Sequence, residues 1–175
     1  MTQLTIRNIG PIKDICLDIR KINVIIGPQS SGKSTIAKII SFCLWVEKDI
    51  IRHQDTTGID ADFIAEKLLK FHKLKNYITN ASYISFRSDA ILFVLKGTED
   101  VSAEIAENFA KASVSKIAYI PSERNLVSIP NISTLKMDDT YIKDYVFDWL
   151  SVHSKYPKEA MIPILELNMS YYYDS

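Results

Sequence analysis

The sequence predicts an α/β fold: a mixed sheet with an antiparallel N-terminal portion and flanking helices. Residues 4–9 and 15–19 alternate apolar and polar side chains, which is typical of strands with one buried face. Residues 22–26 are almost continuously apolar and β-branched, which favours a central strand covered on both faces. From Lys33 onward the apolar residues recur at helical spacing. A strand, a glycine-containing loop and a helix are therefore expected in succession.

The rest of the chain continues as a mixture of helices and strands. Asp60 is a suitable N-cap for the first of the later helices. The pattern predicts helices over residues 60–73, 99–112 and 140–153, a short helical segment between Pro157 and Pro163, and strands over residues 83–87, 90–95 and 116–120. Because no stretch resembles a linker, we expect one domain over residues 1–175.

Composition narrows the class of protein. The chain has 175 residues, of which 47% are hydrophobic and 24% charged, close to an ordinary globular protein. Its 21 basic and 21 acidic residues balance, so net charge gives no reason to expect nucleic acid or an anionic membrane as partner. No apolar run approaches the roughly 18 residues of a membrane helix, and the N-terminus lacks the pattern of a signal peptide. We expect no membrane partner and a cytoplasmic location.

The segment with the clearest chemistry is GPQSSGKS at residues 27–34, which matches G-x-x-x-x-G-K-S/T, the Walker A or P-loop pattern. Gly27 lets the chain leave a strand sharply, and Gly32 permits a close approach that a Cβ would obstruct. Between them, successive N–H groups can form an anion nest, extended by the free N–H groups at the start of the helix. The pattern therefore predicts a P-loop NTPase that binds nucleotide phosphates.

Each residue of this segment has an expected role. We expect Lys33, the one catalytic candidate, to bridge the β- and γ-phosphates, and the hydroxyl of Ser34 to bind Mg²⁺. Thr35 is placed to contact the α-phosphate. The expected nucleotide-binding residues are Gly27, Pro28, Gln29, Ser30, Ser31, Gly32, Lys33, Ser34 and Thr35. The expected cofactors are ATP and Mg²⁺.

Hydrolysis requires groups beyond this segment. Phosphoryl transfer needs an acidic residue at the end of an apolar strand and a group that positions water. Residues 161–166 come nearest to this pattern, but Pro163 cannot donate within a central strand. Asp148 lies inside a helical pattern. We therefore expect the isolated chain to bind ATP without robust hydrolysis.

Residues 4–40, LTIRNIGPIKDICLDIRKINVIIGPQSSGKSTIAKII, resemble the N-terminal segment of ABC-class ATPases of the SMC, RecF and OLD (overcoming lysogenization defect) type. Prokaryotic members of this group often carry the name AAA-family ATPase. Residues 119–125, YIPSERN, are similar to a Y-I-P-A-E-R element of the same proteins. The resemblance implies the N-terminal lobe of an ABC-type head, with the Walker B and signature segments in a C-terminal lobe beyond this chain. It also implies dimerisation of two heads, and work in DNA maintenance or phage defence.

Five residues are accessory candidates under this resemblance. Glu123 and Arg124 could reach the metal or the phosphates, or could form a structural ion pair. Asn8, like Arg7 and Lys13, could contact the nucleotide or lie on a solvated strand face. No glutamine follows Tyr119, so a Q-loop role does not transfer to this chain.

Two other functions fit the same residues. The chain could be a regulatory module that binds nucleotide without hydrolysing it. It could also be a small-molecule kinase, but an arginine-rich lid and a second acidic strand end are not evident in the sequence. Adenine is preferred to guanine on the resemblance, since no N/T-K-x-D element occurs.

Overall fold

The computed structural model of the chain describes residues 2–107, 109, 117–121 and 141–155. The chain divides into two compact units, Met1–Tyr119 and Ile120–Ser175. The predicted segment between Pro157 and Pro163 and the candidates Glu123 and Arg124 lie outside the described residues. The expectation of a single domain stays a prediction.

The first unit contains one antiparallel sheet. Its strands are β1 (Thr2–Ile9), β2 (Ile12–Ile19), β3 (Tyr83–Arg87), β4 (Ile91–Lys96) and β5 (Asp100–Ile105). Their order is β2-β1-β3-β4-β5, and each neighbouring pair is antiparallel. The predicted N-terminal hairpin and the two strands predicted near residues 83–95 are thereby confirmed.

The register of these strands collects the apolar side chains on one face. Ile6 of β1 lies opposite Ile84 of β3, which in turn lies opposite Leu95 of β4. All three side chains are buried. The other face is mostly polar, and there Arg7 forms an ion pair with Asp14, with Nε 3.2 Å from Oδ2. Period-two alternation in the sequence produces this division because successive side chains point to opposite faces.

The long helix α1 (Lys33–His53) packs on the core of this unit. The Phe42 ring lies 5.8 Å from the Phe93 ring of β4, in an edge-to-face arrangement. Apolar residues at three- and four-residue spacing supply the buried side of the helix: Ile36, Ile39, Phe42, Cys43, Val46 and Ile50. This helix confirms the pattern predicted from Lys33 onward.

The helix expected at residues 60–73 is present in two parts. The α-helix α2 (Ala61–Ile64) is capped by Asp60, whose side chain accepts a hydrogen bond from the Phe63 N–H at 2.9 Å. It continues as a π-helical segment, Ala65–Phe71. In the second unit, α3 (Tyr141–Lys155) confirms the last predicted helix.

The strand predicted at residues 22–26 is wrong. This segment has no strand conformation, and Ile22, Val24 and Ile26 are 78%, 80% and 87% exposed. The physical reason is that no described strand pairs with this segment, so these three side chains are left uncovered. In the turn that follows β2, the Asn23 side chain accepts from the Arg20 N–H at 2.8 Å and donates to the Asp18 carbonyl at 2.9 Å.

Two further predictions differ from the structure. Over residues 100–105, the helix predicted at residues 99–112 is replaced by β5, because Val101 and Ile105 fit a period of two as well as four, and they pair with Leu95 and Ile91. Residues 108 and 110–112 of that predicted helix lie outside the described part of the chain. Residues 117–120 were expected within a strand but have no regular structure. There Tyr119 packs edge-on against His72, with ring centroids 5.9 Å apart.

Val24 and Val46 allow a matched test of the exposed position of residues 22–26. Val24 is 80% exposed whereas Val46 of α1 is fully buried. Val24→Ala should change the free energy of unfolding by less than about 0.5 kcal/mol, because the side chain makes little contact. Val46→Ala should lower it by about 2 kcal/mol through lost burial and a cavity. Urea denaturation of the two variants measures both values, and equal losses would contradict the exposed position of Val24.

His72 provides a pH-dependent test of the core. The ring is 4% exposed and packs against Phe42, Phe71 and Tyr119. Burial, with a smaller contribution from the positive charge of Lys38, lowers the His72 pKa from 6.5 to about 4. The unfolded chain therefore binds a proton between these two pH values that the folded chain does not bind.

We expect the free energy of unfolding to be independent of this group above pH 6.5 and to fall as the pH drops towards 4. The full loss is roughly 3 kcal/mol. His72→Phe, which retains an aromatic ring, should remove most of this pH dependence in urea titrations. His53→Gln is the control because that side chain is exposed. An unchanged pH profile in His72→Phe would contradict the assignment.

Candidate functional site

The loop at residues 27–34 has the backbone of a concave turn that ends in a helix. Ser30 and Gly32 have φ angles of 62° and 92°, both in the left-handed region. Gly32 is also the N-cap of α1, where no side chain caps the helix and the first turn contains no acidic residue. The N–H groups at the start of a 21-residue helix therefore have no side-chain acceptor at its cap. Such a helix end favours an anion.

The ammonium group of Lys33 lies against the carbonyl oxygens of its own loop. Nζ donates to the Gly27 carbonyl at 2.9 Å, to the Pro28 carbonyl, and to Ser31 Oγ at 3.4 Å. Ser31 Oγ itself donates to the Pro28 carbonyl at 2.9 Å. The positive charge therefore holds both ends of the loop together. An anion in the loop would offer Lys33 a charged acceptor in place of neutral carbonyls.

The two hydroxyl residues after Lys33 differ in exposure. Ser34 is exposed, whereas Thr35 is buried within the first turn of α1. The Ile36 N–H donates to the Gly32 carbonyl at 2.9 Å, so regular helical bonding begins here. The Ser34 hydroxyl is the one available to a ligand from solvent.

Gly32 is held in close contact with the turn between β1 and β2. A Cβ on Gly32 would lie 2.9 Å from Ile12 Cγ1 and 3.1 Å from Pro11 Cγ. A Cβ on Gly27 would meet only Ser31 Oγ, at 3.2 Å. Glycine is therefore required at position 32 both by the positive φ angle and by the neighbouring turn.

Among the accessory candidates that the structure describes, Asn8 and Arg7 have structural partners. Asn8 has a φ of 52°, and its Nδ2 donates to the Ala81 carbonyl at 3.0 Å. Arg7 pairs with Asp14 and lies 5.6 Å from the centre of the Tyr83 ring. Sequence reasoning missed Pro11 and Ile12 as neighbours of the loop. The G-P-I sequence directly after Asn8-Ile9 was the available signal.

In the part of the chain that the structure describes, no group of three or more histidine, cysteine or acidic side chains could hold a metal ion. None of the described helices is both long and apolar enough to cross a membrane. Within the loop, Ser30, Ser31 and Ser34 are exposed, and each carries a hydroxyl oxygen.

Residues 1–73 match the family model described as the AAA ATPase domain. The match contains the hairpin, the 27–34 loop and α1, and it is consistent with the N-terminal part of an AAA- or ABC-type ATPase. No curated protein and no solved structure matches the chain.

Two glycines test the contact at position 32. Gly32→Ala should lower the free energy of unfolding by about 1–3 kcal/mol, because a Cβ meets Ile12 and the positive φ angle disfavours alanine. Gly58→Ala is the matched control, since a Cβ there meets no atom within 4 Å. Thermal or urea unfolding measures both, and a Gly32→Ala variant as stable as Gly58→Ala would reject the contact.

Proposed function

We propose that this chain, whose residues 1–73 match the AAA ATPase domain, binds Mg-ATP through the 27–34 loop acting as a Walker A P-loop. The backbone conformation of this loop and its place directly before α1 support the proposal most strongly. It contains left-handed residues at Ser30 and Gly32 and leads into the uncapped end of α1, where no acidic side chain would repel a phosphate.

The loop residues would divide the work of binding. Backbone N–H groups of the loop and of the first turn of α1 would donate to phosphate oxygens. Lys33 would exchange the Gly27 and Pro28 carbonyls for the β- and γ-phosphates, which are stronger acceptors because they carry charge. This exchange keeps the ammonium group hydrogen-bonded before and after binding. Gln29, Ser30 and Ser31 would line the loop around the phosphates, and Thr35, whose side chain is buried, would approach the α-phosphate through its backbone N–H.

Ser34 is the residue that fits magnesium. Its hydroxyl is exposed next to Lys33 at the start of α1, and a hard cation prefers oxygen ligands. Magnesium, when bound with the nucleotide, bridges phosphate oxygens and neutralises their charge. Phosphate oxygens and water molecules would complete the coordination.

We extend the proposal to the whole protein on the resemblance of residues 4–40. There the chain would be the N-terminal lobe of a cytoplasmic ABC/SMC-like ATPase that works as a dimer of heads in DNA maintenance or phage defence. The acidic residues for hydrolysis would come from the rest of the head. Glu123 and Arg124 remain candidates for contacts with the metal or phosphates.

Isothermal titration with Mg-ATP tests the central proposal. The unmodified chain should bind weakly, and Lys33→Ala should reduce affinity by about 100-fold, because the charge that meets the β- and γ-phosphates is removed. Lys70→Ala, at an exposed position on the π-helical segment, is the matched control and should bind like the unmodified chain.

A second titration separates phosphate binding from metal binding. Ser34→Ala should weaken Mg-ATP binding but leave binding of ATP in EDTA nearly unchanged. Turnover of ATP by the isolated chain should be negligible. Equal affinities for the unmodified chain and Lys33→Ala would reject the proposal, and robust turnover would reject the division of the site between lobes.

A further inference from the structure

We propose that the turn at residues 8–12 is a positioning element for the 27–34 loop, and that Tyr77 and Asn8 are its positioning residues. Neither side chain would itself bind the nucleotide. Their role would be to hold the turn at residues 8–12 in place. That turn then fixes the position of Gly32 and of the N–H groups around it. This inference rests on the proposed function, because its readout is nucleotide affinity.

The turn packs against the loop at Gly32, through Ile12 and Pro11. Ile12 is buried, and its Cγ1 occupies the space directly beside Gly32, where a Cβ would lie 2.9 Å away. Pro11 Cγ would lie 3.1 Å from the same Cβ position, and the proline ring fixes the local backbone. There is therefore no room for a side chain between residue 32 and the turn. The turn limits the positions open to the residue from which α1 and the loop both extend.

On its other side, the turn is hydrogen-bonded through Asn8 to residues 81 and 82. Asn8 has a left-handed backbone, and its Nδ2 donates to the Ala81 carbonyl at 3.0 Å. Its own carbonyl accepts a hydrogen bond from Ser82 Oγ at 2.6 Å. Asparagine tolerates this conformation better than most residues. The left-handed residue also changes the alternation of β1, so that Ile9 is buried at the start of the turn.

At its centre, the turn contacts Tyr77 through Gly10. Gly10 has a φ of 52°, and a Cβ there would lie 1.9 Å from Tyr77 Cδ1. The Gly10 N–H donates to the Tyr77 carbonyl at 3.0 Å. The backbone and the ring of one residue thus hold the centre of the turn. Tyr77 itself is 40% exposed.

These contacts form a continuous series from Tyr77 through Gly10 and Ile12 to Gly32. Anion binding by backbone N–H groups depends on the direction in which these groups point. Where the fold already holds them in that direction, binding carries no further ordering cost. A loose turn would permit other positions of Gly32 and so reduce the fraction of loops able to bind. The series thereby predicts an effect on affinity from residues that never contact the ligand.

A double-mutant cycle tests the inference, with Mg-ATP affinity measured by isothermal titration under conditions in which each variant is folded. Tyr77→Ala should weaken binding by about fivefold or more, equivalent to the loss of one ordering contact. Gly10→Ala should weaken it further, through the clash and the positive φ angle. The double variant should bind more tightly than Gly10→Ala, because removal of the ring relieves the clash.

Tyr83→Ala is the control for a merely structural effect. It removes a ring of the same size from β3, where Tyr83 contacts Arg7. It should lower stability and leave affinity within about twofold of the unmodified chain. The inference is overturned if Tyr77→Ala binds as Tyr83→Ala does, or if Tyr77→Ala gives no rescue of Gly10→Ala.

A measurement on the unmodified chain decides the matter if these variants do not fold. Mg-ATP should slow hydrogen exchange of the Gly10 amide, whose acceptor is the Tyr77 carbonyl, because the ligand and the turn favour the same state. Unchanged exchange at saturating Mg-ATP would overturn the inference. Failure of the unmodified chain to bind Mg-ATP would reject the proposed function instead, so the two failures are distinct.

Discussion

The contact between Gly32 and the turn of the N-terminal hairpin is the constraint on which the rest of the first unit depends. Ile12 and Pro11 occupy the space in which a Cβ of residue 32 would lie. Any residue other than glycine would separate the hairpin from the start of α1 or change the backbone of the loop. The hairpin, the loop and the helix are therefore mutually fixed, although each has its own local sequence signal.

The charge of the loop at residues 27–34 has hydrogen-bond acceptors within the loop itself. Lys33 donates to two backbone carbonyls and to Ser31. The uncapped N–H groups of α1 are the complementary feature, since they have no side-chain acceptor at the cap. Under the proposed function, binding replaces neutral acceptors with charged ones and supplies an acceptor to the helix end.

The sequence predicted those elements whose pattern is local. The hairpin, α1 and the Asp60 cap follow from alternation, helical spacing and side-chain chemistry within a few residues. The strand at residues 22–26 was predicted wrongly because composition reports a preference for burial but not whether a pairing strand is present. The contact of Tyr77 with Gly10 was not predictable either, since it joins residues 67 positions apart in the chain. In the candidate site, the motif predicted the loop but not the turn that supports it.

Backbone amide chemical shifts during titration with Mg-ATP test the central claim most directly, because they locate the ligand without altering the protein. The account predicts that the largest shifts occur at residues 30–35, where the left-handed residues meet the start of α1, with smaller shifts at Ile12 and Gly10. Residues on the polar face of the sheet, such as Ser85, should not respond. Saturable shifts centred elsewhere, or none at residues 30–35, would contradict the assignment of this loop as the nucleotide site.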